Sequence, residues 1–343
     1  MASAAETALV ALDWGTSTLR AYRLGPGGAV LEQRTLPAGI QRLRPGAAAA
    51  PADFARAFAE ACGDWREAAP GAPALACGMV GSAQGWREIP YLDVPADPAA
   101  LAGALARVDA PGGPLWLVPG LRAPGALPGV MRGEETQLAG LLDTLPASGA
   151  SVVGLPGTHA KWARVAEGRI LGFDTFMTGE VFEALATHTI LARTLRLGAA
   201  PDLAAFDRGV AVARSDEGRG GLLSTAFSVR TLGLAGALGP EAQADYLSGL
   251  VVGHELRGLE ERRPGLLAGA ARVVLAGAPA LCERYRRALG LLGLPSPAIA
   301  EDATERGLWR IAAAAGLVGD RPAAASSGVG SGSGFGPGAC TGG

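Results

Sequence analysis

The sequence predicts an α/β protein of two domains, and three observations carry that reading. An apolar run, Val10-Ala11-Leu12-Asp13, turns through Gly15-Thr16-Ser17-Thr18 and resumes as Leu19-Arg20-Ala21-Tyr22-Arg23-Leu24, which is a β-hairpin pattern. The pattern recurs where Ser151-Val152-Val153-Gly154-Leu155 meets Gly157-Thr158 and a second hairpin, Lys161 to Val165 and Arg169 to Phe176. The rest of the 343 residues alternates short apolar strands with helix-period segments, and that length gives two domains ample core.

Taken in order, Ala29 to Leu36 reads as a third strand. Pro51-Ala52-Asp53 opens a helix through Phe54, Phe58, Cys62 and Trp65, with Asp53 as its candidate N-cap. Pro73 to Val80 is an apolar strand running into the glycine-rich loop Gly78-Met79-Val80-Gly81-Ser82-Ala83-Gln84-Gly85-Trp86. A loop in that position is where open α/β sheets keep ligands. Leu115 to Gly120 is another buried strand, and Val130 to Gln137 opens a helix through Leu138, Leu141 and Leu142. Pro146-Ala147-Ser148-Gly149 is a turn-rich break, which sets the expected domains at 1–145 and 146–322. Beyond it, Glu180 to Leu191 reads as a helix burying Val181, Phe182, Leu185 and Ile190, and Leu247 to Leu259 as another. The strand Arg272 to Ala276 meets Gly277-Ala278-Pro279 and a helix through Leu281, Tyr285 and Leu289. A last helix, 304–315, is a candidate to pack back on the first domain. The Gly/Ser-rich tail 323–343 has a composition that buries no core and is expected to be disordered.

A formal net charge of −2, with neither a basic face nor a basic tail, argues against a nucleic-acid or acidic-membrane partner. The four cysteines (Cys62, Cys77, Cys282, Cys340) have no zinc or thioredoxin spacing, so reduced thiols in a cytoplasmic protein are expected. No signal peptide or bilayer-spanning run is read.

Two strand–Gly-Thr–strand hairpins make a clamp, each able to aim N–H groups and a hydroxyl at a polyphosphate held between them. No P-loop occurs, and no Rossmann glycine pattern follows the first strand. Asp13 at the strand end suits a hydrated Mg²⁺, though an ordinary polar turn would contain the same residues. His159, beside the second turn, reads equally as a phosphate donor or as a packed turn histidine.

Several motifs together give a sharper identification. Asp13-Trp14-Gly15-Thr16-Ser17 with Arg20, Gly78 to Ser82 with Gly85-Trp86 and Pro90-Tyr91-Leu92, and Val118-Pro119-Gly120-Leu121 occur in order. Met131-Arg132-Gly133-Glu134-Glu135-Thr136-Gln137, Pro156-Gly157-Thr158-His159 with Lys161-Trp162, and Met177-Thr178-Gly179-Glu180 follow. In this combination, from about Leu9 to Ala315, the chain resembles the 2-dehydro-3-deoxygalactonokinase family of actin-like, hexokinase-type kinases. The resemblance implies two ribonuclease-H-like domains closing over ATP. It also implies phosphorylation of 2-dehydro-3-deoxy-D-galactonate at its C6 hydroxyl, in galactonate or galactose degradation.

The resemblance further assigns Asp13 to the first phosphate motif near Mg²⁺, with Gly15, Thr16 and Ser17 in the same loop. Gly157 and Thr158 match the second phosphate turn, and Gly277 the adenosine loop, where only glycine lets the backbone approach the base closely. Aligning Glu135-Thr136-Gln137-Leu138-Ala139 on the Asp-x-Asn-x-Ala helix start of sugar kinases makes Glu135 the catalytic base, with Glu134 the alternative. Both acids would also serve as first-turn residues complementing a helix dipole. The substrate carboxylate implies a cation, and Arg132 leads Lys161 because a guanidinium forks onto a carboxylate. Ser82, Gln84 and Trp86 are candidates for sugar-acid hydroxyls and a pocket wall, and Thr178 and Glu180 for a third loop facing the cleft. A small-molecule sugar acid and MgATP are the expected partners, and a homodimer is a candidate assembly. The competing readings are a kinase of another sugar or sugar acid, or a non-catalytic actin-like nucleotide-binding regulator.

Overall fold

In the computed structural model, residues 6–44, 46–294 and 296–319 are described; the tail from Ala323 lies outside them. The first half runs through β1 (Leu9–Trp14), β2 (Leu19–Leu24), β3 (Val30–Leu36), α1 (Pro51–Ala68), β4 (Ala74–Gly78), β5 (Leu92–Asp93) and α2 (Pro98–Gly103). It continues with β6 (Ala106–Ala110), β7 (Gly113–Leu117), β8 (Leu121–Ala123), β9 (Gly129–Met131) and α3 (Glu134–Leu141). Its main sheet has the order β3-β2-β1-β4-β7-β6, and β5, β8 and β9 form a small second sheet. β1 is antiparallel to β2, with Asp13 opposite Arg20, and parallel to β4, with Asp13 opposite Cys77.

Strand β1 reads as a nearly continuous apolar run because both of its faces are covered. Side chains alternate across a strand, so Leu9 and Ala11 enter one core while Val10, Leu12 and Trp14 enter another under α1. The α1 residues Phe54, Phe58, Cys62 and Trp65 are buried there as expected. Asp53 is not the N-cap. It stands at the third helical position and accepts a hydrogen bond from the Ala50 N–H at 2.9 Å.

The second half comprises β10 (Ser151–Leu155), β11 (Ala160–Ala166), β12 (Arg169–Phe176), α4 (Thr178–His188), α5 (Leu203–Arg214), α6 (Leu222–Thr225) and α7 (Ser228–Leu234). Then come α8 (Gln243–Arg262), β13 (Val273–Ala276), α9 (Pro279–Leu291), β14 (Ala298–Ala300) and α10 (Ala303–Ala314). Its sheet order is β12-β11-β10-β13-β14. Both sheets therefore place an antiparallel three-stranded meander beside two parallel strands, the duplicated ribonuclease-H-like arrangement. Helix α5, not anticipated from sequence, lies against α8 so closely that a Cβ on Gly209 would sit 2.2 Å from the Tyr246 carbonyl oxygen. Ile190, expected to be buried, falls in a 3₁₀ turn after α4 and is exposed.

One apolar core joins the halves. Leu9, Ala11 and Met131 share it with Val153, Leu155, Ile170 and Phe173. A bridge between Ala96 and Ile170 adds two backbone hydrogen bonds, at 3.1 and 2.8 Å. Helix α10 returns from the second half to pack on α3, backbone against backbone. A Cβ on Gly140 would lie 2.1 Å from the Ala303 oxygen, and one on Gly307 1.8 Å from the Thr136 oxygen. This contact fixes the start of α3, where Glu134 and Glu135 stand. Among the described residues no helix is long and apolar enough to cross a membrane.

Candidate active site

The first loop hangs on β1 and β2. The Gly15 N–H donates to the Thr18 oxygen at 2.9 Å, closing the turn. Behind it, the N–H groups of Ile40 and Gln41 donate to the oxygens of Gly15 and Thr16 at 3.1 Å each. Gly39 makes this backing possible, since a Cβ there would fall 2.2 Å from the Ser17 carbonyl carbon. At the strand end, Arg20 Nη1 donates to Asp13 Oδ2 at 3.0 Å, a consequence of their cross-strand register. Burial pushes the Asp13 carboxyl up from its ordinary range; Arg20 opposes the shift and the Glu134 charge adds to it.

The two glutamates at the start of α3 face different surroundings. Gly133, at φ +111°, makes the turn that precedes them. Glu134 Oε1 pairs at 3.1 Å with Nζ of Lys161, which comes from β11 in the other half, and its Oε2 accepts from the Arg132 N–H at 3.1 Å. Lys161 is only 3% exposed and also donates to the His159 oxygen at 2.6 Å. Glu135 is 0% exposed. Its Oε2 accepts from the Gly133 N–H at 2.6 Å and its Oε1 from the Thr136 hydroxyl at 3.0 Å. Burial, reinforced by the Glu134 charge, raises Glu135 to about 8. Glu135, the acid expected to meet the acceptor hydroxyl, is thus fully buried against its own half. Its carboxyl is turned into the body of the first half, while Glu134 meets the second.

The second loop is held from below. Gly179 and Glu180, at the start of α4, donate their N–H groups to the oxygens of Gly157 and Thr158 at 3.2 and 3.1 Å. Gly179 permits this approach, because a Cβ there would be 2.7 Å from the Gly157 oxygen. Thr158 and His159 are exposed at the tip, and His159 Nε2 pairs with Glu180 Oε2 at 2.5 Å. Gly277, at φ +150°, brings the turn after β13 against Pro156, with a Cβ position 3.1 Å from the Pro156 oxygen. Beside these loops lies a cavity of about 300 Å³, lined in part by Gly157, Gly179, Phe182, Leu197, Asp245 and Tyr285. It mixes apolar walls with a few polar groups, as small-molecule sites do.

The sugar-acid candidates differ in their surroundings. Arg132 is 9% exposed, donates from Nη2 to the Ile89 oxygen at 2.7 Å and stacks 4.4 Å from the Tyr91 ring centroid. Its Nε and Nη1 are buried without a hydrogen-bond partner. Gln84 is exposed, and Ser82 donates its hydroxyl to the Met79 oxygen at 2.7 Å. Trp86 is half-buried. It packs with Trp14, Phe54 and Phe58 at ring-centroid distances of 6.2, 5.9 and 6.2 Å. Thr178 lines the cavity beside Gly157, and its hydroxyl donates to the buried Glu255.

Glu255, Asp245 and Gly39 were not singled out in the sequence. For Glu255 a signal existed, since it is an acid set between Val251, Val252, Leu256 and Leu259 on the apolar stripe of a helix. Among the described residues no cluster of three or more histidine, cysteine or acidic side chains forms a protein-only metal cage.

Comparison with known proteins adds to this geometry. A family model described as 2-keto-3-deoxy-galactonokinase matches residues 13–311. A relative from Rhizobium meliloti (strain 1021), described as a probable 2-dehydro-3-deoxygalactonokinase, is 38% identical over 310 residues, spanning 87% of this chain and 94% of its own. The 2-dehydro-3-deoxygalactonokinase of Escherichia coli (strain K12) is 34% identical over 305 residues, spanning 88% and 97%. A crystal structure from Sinorhizobium meliloti, of a protein assigned as a 2-dehydro-3-deoxygalactonokinase, superposes with a TM-score of 0.74 at 34% identity, covering 89% of this chain and 98% of that one.

Proposed function

The chain belongs to the 2-keto-3-deoxy-galactonokinase family, and on that footing we propose how its own residues phosphorylate the keto-deoxy sugar acid with ATP. The substrate we assign is 2-dehydro-3-deoxy-D-galactonate, phosphorylated at its C6 hydroxyl. The observation that carries the reading is the Glu134–Lys161 pair, which brings the start of α3 in one half against the second phosphate loop of the other.

Phosphoryl transfer asks a protein for positioning, charge neutralisation and a place for the hydroxyl proton. Glu134, partly exposed and facing the other half, is the proton acceptor. Glu135 keeps a structural role, tying Gly133 and Thr136 into the turn that aims Glu134. Arg132, between Tyr91 and the start of α3, is the cation for the substrate carboxylate. Ser82 and Gln84, in the loop whose Gly81 packs against Arg132, are the hydroxyl contacts. Thr16, Ser17, Gly157 and Thr158 line the triphosphate from two sides, and the cavity beside Gly157 and Tyr285 takes the nucleoside. The hard oxygen donors Asp13, Thr16 and Ser17 suit magnesium, which takes one or two carboxylates and otherwise keeps water and phosphate oxygens. When bound, magnesium supplies charge neutralisation for the transferred phosphoryl group.

We take 1–145 and 146–322 as the two closing domains, with α10 docked on the first. A cytoplasmic enzyme is consistent with the free, buried Cys62, Cys77 and Cys282. The test is a coupled ADP-release assay over a panel of 2-keto-3-deoxy sugar acids that includes the galactonate and gluconate epimers. ADP release with the galactonate acid, and a product carrying phosphate at C6, is expected. Turnover only with a different acid removes the assigned substrate, and no ATP use with any acid removes the reading.

A further inference from the structure

The kinase reading leaves the buried Glu255 without a role. Glu255, on α8, is 4% exposed and lines neither phosphate loop. Trp162 Nε1 donates to its Oε1 at 2.6 Å, and the hydroxyls of Thr178 and Tyr285 donate to its Oε2, the latter at 2.5 Å. Among the described residues no salt bridge reaches Glu255. Burying a carboxylate without a counter-charge is costly, so three hydrogen bonds converging on it mark a group retained for what it holds in place.

The three donors come from three elements that build the nucleotide half of the site. Trp162 follows Lys161 on β11, and strand alternation sends it to the opposite face, toward α8. Thr178 is the first residue of α4, whose next two N–H groups hold the Gly157 and Thr158 oxygens. Tyr285, on α9 just past the Gly277 turn, lines the cavity, as does Thr178. Resting on the kinase reading, we propose that Glu255 is a positioning residue for ATP. Its carboxylate sets the start of α4, and through it the Gly157–Thr158 turn, in register with the cavity wall that Tyr285 provides. Arg132 and Glu134 lie outside this network, so the sugar-acid side does not depend on it.

The test measures MgADP affinity by calorimetry, and the KM values for ATP and for the sugar acid, in the full chain. Glu255→Ala should weaken MgADP and raise the ATP KM about tenfold while the sugar-acid KM changes by less than about twofold. Glu255→Gln, which still accepts one hydrogen bond and donates toward the hydroxyls, should recover most of the loss. Tyr285→Phe removes a single hydroxyl without opening a cavity, and should raise the ATP KM about threefold even if the alanine variant fails to fold. Unchanged MgADP affinity in a folded variant overturns the proposal, as does an equal loss for both substrates. A wild-type protein that binds no adenine nucleotide overturns the kinase reading itself.

Discussion

A carboxylate accepts a proton only if its oxygen can reach the hydroxyl, and the adjacent Glu134 and Glu135 differ in that respect. Adjacent positions on a helix point about 100° apart, so one faces the cleft and its neighbour the interior. The sequence could not say which, because the choice is made by the packing of α3 on α10, through Gly140 and Gly307. The raised Glu135 gives a stability prediction. Its neutral form is favoured in the fold, so its contribution is complete below the ordinary carboxylate range and is lost as pH rises through about 8. Denaturant unfolding between about pH 6 and about pH 9 should show wild type losing more stability than Glu135→Gln. An equal loss in both would mean that Glu135 is not the group responsible. Arg132 was legible as a cation near the cleft, but its two unpartnered nitrogens were not, since Ile89 and Tyr91 meet it only in the fold. Arg132→Met should raise the sugar-acid KM by about tenfold or more, with little change for ATP, in steady-state kinetics.

At the scale of elements, each of the two hairpins was readable because an apolar run, a Gly-Thr turn and an alternating run leave a local period of two. Helix α5 was not, because Leu203 to Arg214 replaces large apolar residues with alanine and glycine where it touches α8. The packing of Trp86 is hidden for a related reason, since an aromatic beside a glycine-rich loop gives no local sign of Phe54 and Phe58 arriving from α1. Two glycines carry consequences that can be measured. Gly307→Ala forces α10 off the Thr136 oxygen, and should destabilise the protein by about 1–3 kcal/mol and lower kcat through displacement of Glu134. Thermal unfolding and kinetics on the same sample check both effects. Gly179→Ala presses instead on the Gly157 oxygen, and should raise the ATP KM while leaving the sugar-acid KM near wild type.

Across the whole molecule, the halves share one apolar core and meet through the Glu134–Lys161 pair, so a ligand at that junction contacts both. An adenine nucleotide that binds only the folded state should raise the melting temperature, equivalent to about 2.7 kcal/mol at a hundredfold excess over Kd. The Gly179→Ala variant should lose most of that gain. Lys161 stands 3.1 Å from Glu134, so its charge offsets that carboxylate at the junction of the halves. The central claim is that Glu134, not Glu135, receives the hydroxyl proton at this junction. Turnover of Glu134→Gln and Glu135→Gln, measured side by side by coupled ADP release with 2-dehydro-3-deoxy-D-galactonate, tests it most directly. A fall in kcat of about 10²–10⁴ for Glu134→Gln, with a much smaller change for Glu135→Gln, is the predicted result. Near-wild-type turnover in Glu134→Gln, with the large loss in Glu135→Gln, would contradict it.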